Sequence, residues 1–397
     1  MGQYLRSIAS LPRAVKWFLL TEMIFGFGSG IWSINLNFHL KACGFVDWSI
    51  GSVLAFGAVA TAVLSAFAGG LCDRIGFHPA MMYGCIAKGA GMALIALSHS
   101  PLLVYGGFVV MSLGDSFVLS SEFPFILGLV EEKFKDLVYS LLICFFLFAL
   151  FFGNIAGGYL PGLFSGMENS YFVPVLISGL LFILLGIARS FLPRNKVDYT
   201  PSRISFEIVK DRKIRTFLVY GMIMSLALNC LNSMLNIIYK DSFHMKDNMI
   251  GLAFSASTVV MFLSSFLAPL IMKRWRNENI ALAVMLANLP LLLVMSFAGW
   301  KLFLPVWLLY SFLRLMLPGT VENRMLQAIP EGKQGAYSGM RIFAVSMGNG
   351  IGSFLAGLLL EYSSHTMVLL CCAVFTFLQL MTYLLGCRKH LAVSSAE

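Results

Sequence analysis

The sequence predicts an all-α integral membrane protein, with twelve transmembrane helices in two pseudo-symmetric six-helix bundles. Three observations carry that prediction. Of 397 residues, 58% are hydrophobic and only 12% are charged, against about 25% charged in soluble domains. Continuous apolar runs of about 18 or more residues recur along the chain, each long enough to cross about 30 Å of hydrocarbon as a helix; strands of a β-barrel would alternate instead. Finally, one block is written twice. Glu122, Glu131 and Lys133 reappear 200 residues on as Glu322, Glu331 and Lys333, while Gly153-Asn154 through Gly162 reappears at an offset of 195 as Gly348-Asn349 through Gly357. Such self-similarity over half a chain marks two structurally equivalent halves.

In order, the spans are expected at 15–40, 47–71, 78–98, 102–129, 137–160, 172–192, 215–239, 248–272, 280–298, 302–328, 337–360 and 366–387. An even number puts both termini on one side. Placing that side in the cytoplasm puts twenty Lys and Arg inside, Arg189 among them, and only Lys41, Lys240, Lys246 and Lys301 outside, as the positive-inside rule requires. The first apolar segment is too long for a cleavable signal peptide and lacks a small-residue cleavage site. No Asn-x-Ser/Thr sequon occurs, which fits a bacterial inner membrane. The outward loops are short. The one long inward connection is basic and contains Thr200-Pro201-Ser202; it reads as a linker with a short surface helix at Ser205–Lys210 beside anionic lipid. The domains are therefore a bundle at 1–193, a linker at 194–214 and a bundle at 215–397. Ile50-Gly51 matches Ile250-Gly251 and Arg74 matches Arg274 at the same offset of 200, so the repeats run parallel.

Between spans 2 and 3 stands Gly69-Gly70-Leu71-Cys72-Asp73-Arg74-Ile75-Gly76-Phe77-His78. It resembles the loop signature of the major facilitator superfamily, a glycine with Asp-Arg four residues on, then x-Gly and two basic residues. Phe77 and His78 replace the basic pair. The resemblance covers essentially the whole chain and implies a secondary transporter that alternates access by rocking its two bundles. It also implies that Gly69, Asp73, Arg74 and Gly76 form a gating latch; the alternative is a basic turn obeying the positive-inside rule. In span 5, Gly153-x-x-x-Gly157-Gly158 is similar to the superfamily's glycine-rich antiporter motif, with Asn154 in place of proline. Glycines four apart allow tight helix contact, and the resemblance implies packing of span 5 on span 8. Ordinary small-residue packing would produce the same pattern, which Gly348-Asn349 repeats in span 11.

Ionisable groups at membrane depth cost about 2.5–3.5 kcal/mol each and are functional candidates by default. Glu22 lies in span 1, Asp115 and Glu122 in span 4, Arg314 and Glu322 in span 10. Glu22 resembles the first-span acid of several proton-driven multidrug antiporters, so proton coupling is expected at Glu22 and Asp115, with Glu122 third. Arg314 is expected as a counter-charge or substrate anchor, and an Arg314–Asp115 ion pair is the structural alternative. Glu122 and Glu322 can also cap the inner interface with Arg324 and Arg341. Lys88, in the middle of span 3, can reach Asp115 or Glu122, or snorkel. In the superfamily, spans 1, 4, 7 and 10 line the cavity, which adds Asn35, Asn37, Asn229, Asn232, Asn236, Trp32 and Tyr310 as substrate-cavity candidates. By the offset of 200, Glu22 corresponds to Met222 and Asp115 to Leu315, so a proton path belongs mainly to the first half.

The net charge of +9 follows membrane topology and does not point to nucleic acid. The eight cysteines lie mostly in apolar segments, without CxxC spacing. There is no Gly-x-x-x-x-Gly-Lys-Ser/Thr loop and no Ser-His-Asp or metal constellation, so neither an enzyme nor a cofactor is expected. The expected partners are a small-molecule substrate, protons and the bilayer, with a monomeric chain. The expected function is proton-coupled export of amphipathic small molecules. Proton-coupled uptake of a nutrient or anionic metabolite, and lipid flipping, are the alternatives.

Overall fold

A backbone in hydrocarbon must satisfy its own N–H and C=O groups, and continuous apolar runs do so as helices. The computed structural model describes residues 11–194, 206–275 and 277–393. Among the described residues, twelve long helices follow one another: α1 (Arg13–Ala42), α2 (Asp47–Ile75), α3 (Phe77–Leu97), α4 (Pro101–Leu127), α5 (Lys135–Leu163), α6 (Phe172–Arg189), α7 (Arg212–Asn232), α8 (Asp247–Arg274), α9 (Asn277–Phe297), α10 (Trp300–Arg314), α11 (Glu331–Tyr362) and α12 (His365–Thr382). Eleven stretches among the described residues are long and apolar enough to cross a membrane. The tenth runs in three pieces, α10, a π segment at Pro318–Glu322 and a short helix at Asn323–Gln327. Pro318 supplies no backbone N–H, which favours a break at that point. Residues 195–205 of the expected linker lie outside the described residues, as do Arg6 and Arg276; farther along the linker, Phe206–Lys210 forms the expected short helix as a 3-10 turn.

The apolar cores reveal how the halves sit together. One cluster draws on both halves, with Ile34, Phe38, Leu40 and Ile50 packed against Leu235, Tyr239, Phe303 and Leu369. It occupies the end opposite the start of α1. At the other end the core is divided into two clusters. Leu11, Phe18, Met81 and Phe125 belong to the first half, and Ile214, Phe217, Met285 and Tyr337 to the second. The molecule is thus closed at one end and parted at the end where α1 begins.

Where the halves touch, glycine is required. A methyl group on Gly158 of α5 would sit 2.8 Å from Gly251 Cα of α8, and one on Gly357 of α11 would sit 2.8 Å from Gly51 Cα of α2. These two crossings correct the repeat as read from sequence. Gly51 and Gly251 are equivalent at 200, but Gly158 matches Gly357, an offset of 199. In the same register, Gly153 of α5 meets α1 at Phe27, as Gly352 of α11 meets α7 at Leu226. The apparent offset of 195 slides α11 by four residues, about one helical turn, because glycines spaced four apart match themselves equally well one turn along.

Candidate functional site

The charged residues of the first half are brought together in two clusters. At the last residue of α6, where a helix C-terminus favours a cation, Arg189 is fully buried. Its Nη2 donates to Glu22 Oε1 of α1 and lies 3.3 Å from Glu122 Oε1 of α4. The guanidinium also stacks over Phe18, 4.7 Å from the ring centroid, and Nη1 points to Cys85 Sγ at 3.5 Å. Glu22 and Glu122, which the sequence does not pair, are joined through a third residue, and Glu122 meets Arg189 rather than Arg324 or Arg341. The positive-inside count had assigned Arg189 to the cytoplasmic surface, and this is corrected: it is a core ion. A signal was present in the sequence. Three acids stand at membrane depth in this half with only Lys88 to answer them, a charge imbalance that a second cation near the end of span 6 reduces.

Lys88 answers Asp115. Its Nζ lies 2.7 Å from Asp115 Oδ1 and over the Phe182 and Phe25 rings at 4.5 and 5.1 Å, so the ammonium is held by a carboxylate and two aromatic faces. Of the alternatives open for Lys88, this is the one realised. The Arg314–Asp115 pair is corrected accordingly. Arg314 ends α10 and is buried; its Nη2 donates to the Met224 carbonyl of α7, and its guanidinium carbon is 5.9 Å from the Tyr310 ring centroid. Glu322 pairs with Arg341 as expected, whereas Arg324 instead pairs with Glu278 at 3.1 Å.

A central cavity of about 370 Å3 opens between the halves. Its polar wall carries Asn37, Asp115, Asn229 and Asn232 together with Ser112 and Ser353. α2 and α11 contribute to it, because they cross at Gly51 and Gly357 directly beside it. α10 does not line it, which corrects the expectation for the tenth span. That helix faces a second cavity of about 330 Å3, lined by Arg314, Trp307, Phe254 and Met261, and Asn232 borders both. A third, apolar cavity of about 620 Å3 lies between α5 and α8, walled by Phe148, Phe152 and Phe262.

The asparagines divide by role. Asn37 Nδ2 donates to the Ser233 carbonyl at 2.7 Å and to Asn236 Oδ1 at 2.8 Å, and Asn236 Nδ2 donates to the Ile34 carbonyl at 2.9 Å. Together they tie α1 to the end of α7, and Asn236 is a tie rather than a wall. Asn229 Nδ2 bonds Asn349 O and Ser353 Oγ at 2.7 and 2.6 Å. Asn35 points away from the cavity, donating to the Gly157 carbonyl of α5 at 3.0 Å. Trp32 packs among apolar side chains, and Tyr310 is buried against Arg314.

At the closed end, Lys41 bridges Asp47 at 2.9 Å and Asp241 of the other half, and Lys240 bridges Asp247 at 2.6 Å and the Tyr171 hydroxyl of the other half. Tyr171 donates to Asp247 at 2.9 Å. The pKa of Tyr171 is raised, first by burial and then by the Asp247 carboxylate. At the parted end, Gly76 ends α2 with φ +92°, a conformation that favours glycine. Arg74 beside it is exposed; the Asp73 side chain lies outside those described. In α5 the glycine motif splits. A methyl on Gly157 would meet Ile31 Cα of α1 at 3.1 Å, and only Gly158 crosses to α8.

Comparison with known proteins adds to this geometry. The family model described as Major Facilitator Superfamily matches residues 18–339 and 216–396. The multidrug resistance protein MdtH of Cronobacter sakazakii is 23% identical over 220 residues, 54% of this chain and 53% of that protein. Azole resistance protein 1 of Saccharomyces cerevisiae is 27% identical over 138 residues, 34% of this chain and 22% of that one. The chain thus spans about half the length of the first of these relatives and less of the second. Among solved structures, the nucleoside transporter NupG superposes with a TM-score of 0.73 at 15% identity, covering 94% of this chain and 99% of that one. A bacterial homologue of the iron transporter ferroportin, in an inward-facing state, superposes with a TM-score of 0.76 at 16% identity, covering 95% and 99%.

Proposed function

The chain belongs to the Major Facilitator Superfamily, and on that premise we propose that it is a secondary-active transporter exporting amphipathic small molecules in exchange for protons. One observation carries the proton half of this reading. Glu22 and Glu122 share the single guanidinium of Arg189, so the fully ionised cluster holds one surplus negative charge in a place where charge is costly. One proton cancels it. Glu22 is almost wholly enclosed, while Glu122 keeps 12% of its side chain exposed, and Glu122 is the side from which a proton arrives. Loss of that proton restores the charge and favours the conformation in which water reaches the cluster. Asp115, on the cavity wall and paired to Lys88, is the second carrier.

The export half rests on the multidrug relatives and on the cavities. An Asn- and Ser-rich chamber beside apolar and aromatic walls suits molecules with one polar and one apolar side. Bundles 1–193 and 215–397 rock about the α2–α11 and α5–α8 crossings, joined by the linker at 194–214. With the basic residues placed by the positive-inside rule, the termini are cytoplasmic and the parted end faces inward, with the Arg74 loop disengaged. The chain acts as a monomer in a bacterial inner membrane.

The test is a substrate screen in proteoliposomes under an imposed pH gradient, with entrapped pyranine reporting proton movement. Added amphipathic compounds should drive proton flux in the wild type. Glu22→Gln and Glu122→Gln should abolish gradient-driven transport yet spare substrate counterflow. Unchanged gradient-driven transport in both variants would remove the cluster as the carrier. No proton movement with any substrate would sink proton coupling itself.

A further inference from the structure

The second cavity holds a cation that no carboxylate answers; its Nη2 is met only by the neutral Met224 carbonyl. Arg314 is 5% exposed, and its Nη1 has no hydrogen-bond partner; among the described residues no carboxylate lies within ion-pair distance of it. The other cations deep in the two bundles are paired, Arg189 with Glu22 and Glu122, Lys88 with Asp115. Beside Arg314, Trp307 Nε1 is also buried and unpartnered. Arg and Trp side chains can only donate hydrogen bonds. The buried Tyr310 hydroxyl beside them also lacks a hydrogen-bond partner, but a neutral oxygen leaves the guanidinium charge uncompensated, which is costly when buried unless something from outside supplies an anionic acceptor. Phe254, Met261 and Leu228 form the apolar part of the same cavity.

We propose that this cavity is the head-group pocket for the transported molecule, and that the molecule is an anion: a carboxylate, sulfonate or phosphate carried on an apolar or aromatic body. The anion docks on Arg314 Nη1 with Trp307 Nε1 beside it, and a planar guanidinium suits the two oxygens of such a group. The body packs on Phe254 and Met261 and extends past Asn232 into the central cavity. Among the described residues no free carboxylate is available there to hold a cation, because Asp115, the acid on that wall, is taken by Lys88. The inference rests on the transport reading only for the word "transported". The charge preference is a property of the site, whichever way the substrate moves and whatever ion drives it.

Equilibrium binding separates the two. Dansylglycine and dansylcadaverine share a fluorescent body and differ in carrying a carboxylate or an ammonium. Purified full-length protein should bind the anionic probe at least about tenfold more tightly. Arg314→Gln should erase that ratio, Arg314→Lys should retain part of it, and Trp307→Phe should weaken the anionic probe alone; all three variants must elute as the wild type does on size exclusion with an unchanged unfolding temperature. Equal affinity for the two probes, binding of neither, or a ratio unchanged in Arg314→Gln overturns the proposal. If the anionic preference stands while no compound moves protons in proteoliposomes, the coupling reading fails and the pocket survives. The reverse result leaves coupling intact and removes the pocket.

Discussion

The same two helices in each half are fastened by different chemistry. In the first half α1 and α6 meet through Glu22 and Arg189, with Glu122 added from α4. In the second, α7 and α12 meet through a neutral bond, Gln379 Nε2 donating to the Tyr220 hydroxyl at 3.0 Å. Glu22 lies nine residues into its helix and Tyr220 eight, so the two contacts sit at nearly equal depth. The frame is symmetric and the chemistry is not. A fold built from repeats can therefore place its buried ion cluster in one half and leave the other with a cation, Arg314, that no carboxylate answers.

The largest effect should come from breaking the ionic contact and sparing the neutral one. Arg189→Met leaves two buried carboxylates unpaired, a loss of about 3–5 kcal/mol for a buried pair with one partner removed. Gln379→Met forfeits a single hydrogen bond, about 1 kcal/mol. Thermal unfolding in detergent should show the first as a severe loss of folded protein and the second as a small shift. Adding Glu22→Gln and Glu122→Gln to Arg189→Met should recover most of the loss. Equal damage from the two single variants would mean that the clusters are not the asymmetric pair described.

Next in size are the crossings, where the halves are alike and so should their variants be. Gly158→Val and Gly357→Val each force a side chain into the opposing backbone, an overpacking cost of about 1–3 kcal/mol. Transport should fall similarly in both, with the secondary structure retained. A marked difference would show that the α5–α8 and α2–α11 crossings are not equivalent. A smaller effect is expected at Arg314. Because no carboxylate depends on it, Arg314→Met should change stability by about 1 kcal/mol or less, or stabilise the protein, as replacement of buried ions by apolar residues often does. A loss on the scale of Arg189→Met would reveal a hidden structural partner.

Much of this was legible in the sequence. Hydropathy located all twelve stretches, although α7 ends at Asn232 and α10 at Arg314, short of the expected 239 and 328, and the repeat pointed to two equivalent halves. It misled only where self-matching glycines allowed α11 to slip one turn. The site was half legible. Glu22, Asp115, Glu122 and Arg314 stand out because charge in an apolar run is costly, and that argument needs no structure. Their partners were not legible, because pairing depends on which faces of helices distant in sequence meet. Arg189 was hidden by its position, three residues before Leu192-Pro193, where a buried cation and a loop cation look alike. Asn35 and Asn37 are two residues apart on a helix and point to different neighbours, one to α5 and one to the cavity; span membership alone cannot separate them.

The smallest effect concerns the closed end, where the asymmetry recurs in milder form. Each half offers a lysine that holds an aspartate of its own half, Asp47 or Asp247, and reaches one group across. Lys41 reaches a carboxylate, Asp241, whereas Lys240 reaches a phenol, Tyr171. Ionising the phenol would set a second anion beside Asp247, and both that carboxylate and burial hold the Tyr171 pKa above its ordinary value. A group whose folded pKa is raised gives stability that is complete below its unfolded pKa, about 10 for tyrosine, and that drains away as pH rises beyond it. Between pH 6 and 9 the contact should therefore be blind to pH. Tyr171→Phe removes both hydrogen bonds of the hydroxyl, but Lys240 and Asp247 keep each other, so the net loss is about 1 kcal/mol and should shift the population toward opening of this end by a constant factor of about five across that range. Electron–electron distance measurements between spin labels at Gly166 and Gly299, one on each half, would record it in a cysteine-free background. A shift confined to the acid end of the range would assign the switch to the neighbouring carboxylates. No shift at any pH would mean that the Lys41 bridge holds the end closed by itself, and that the phenol is packing.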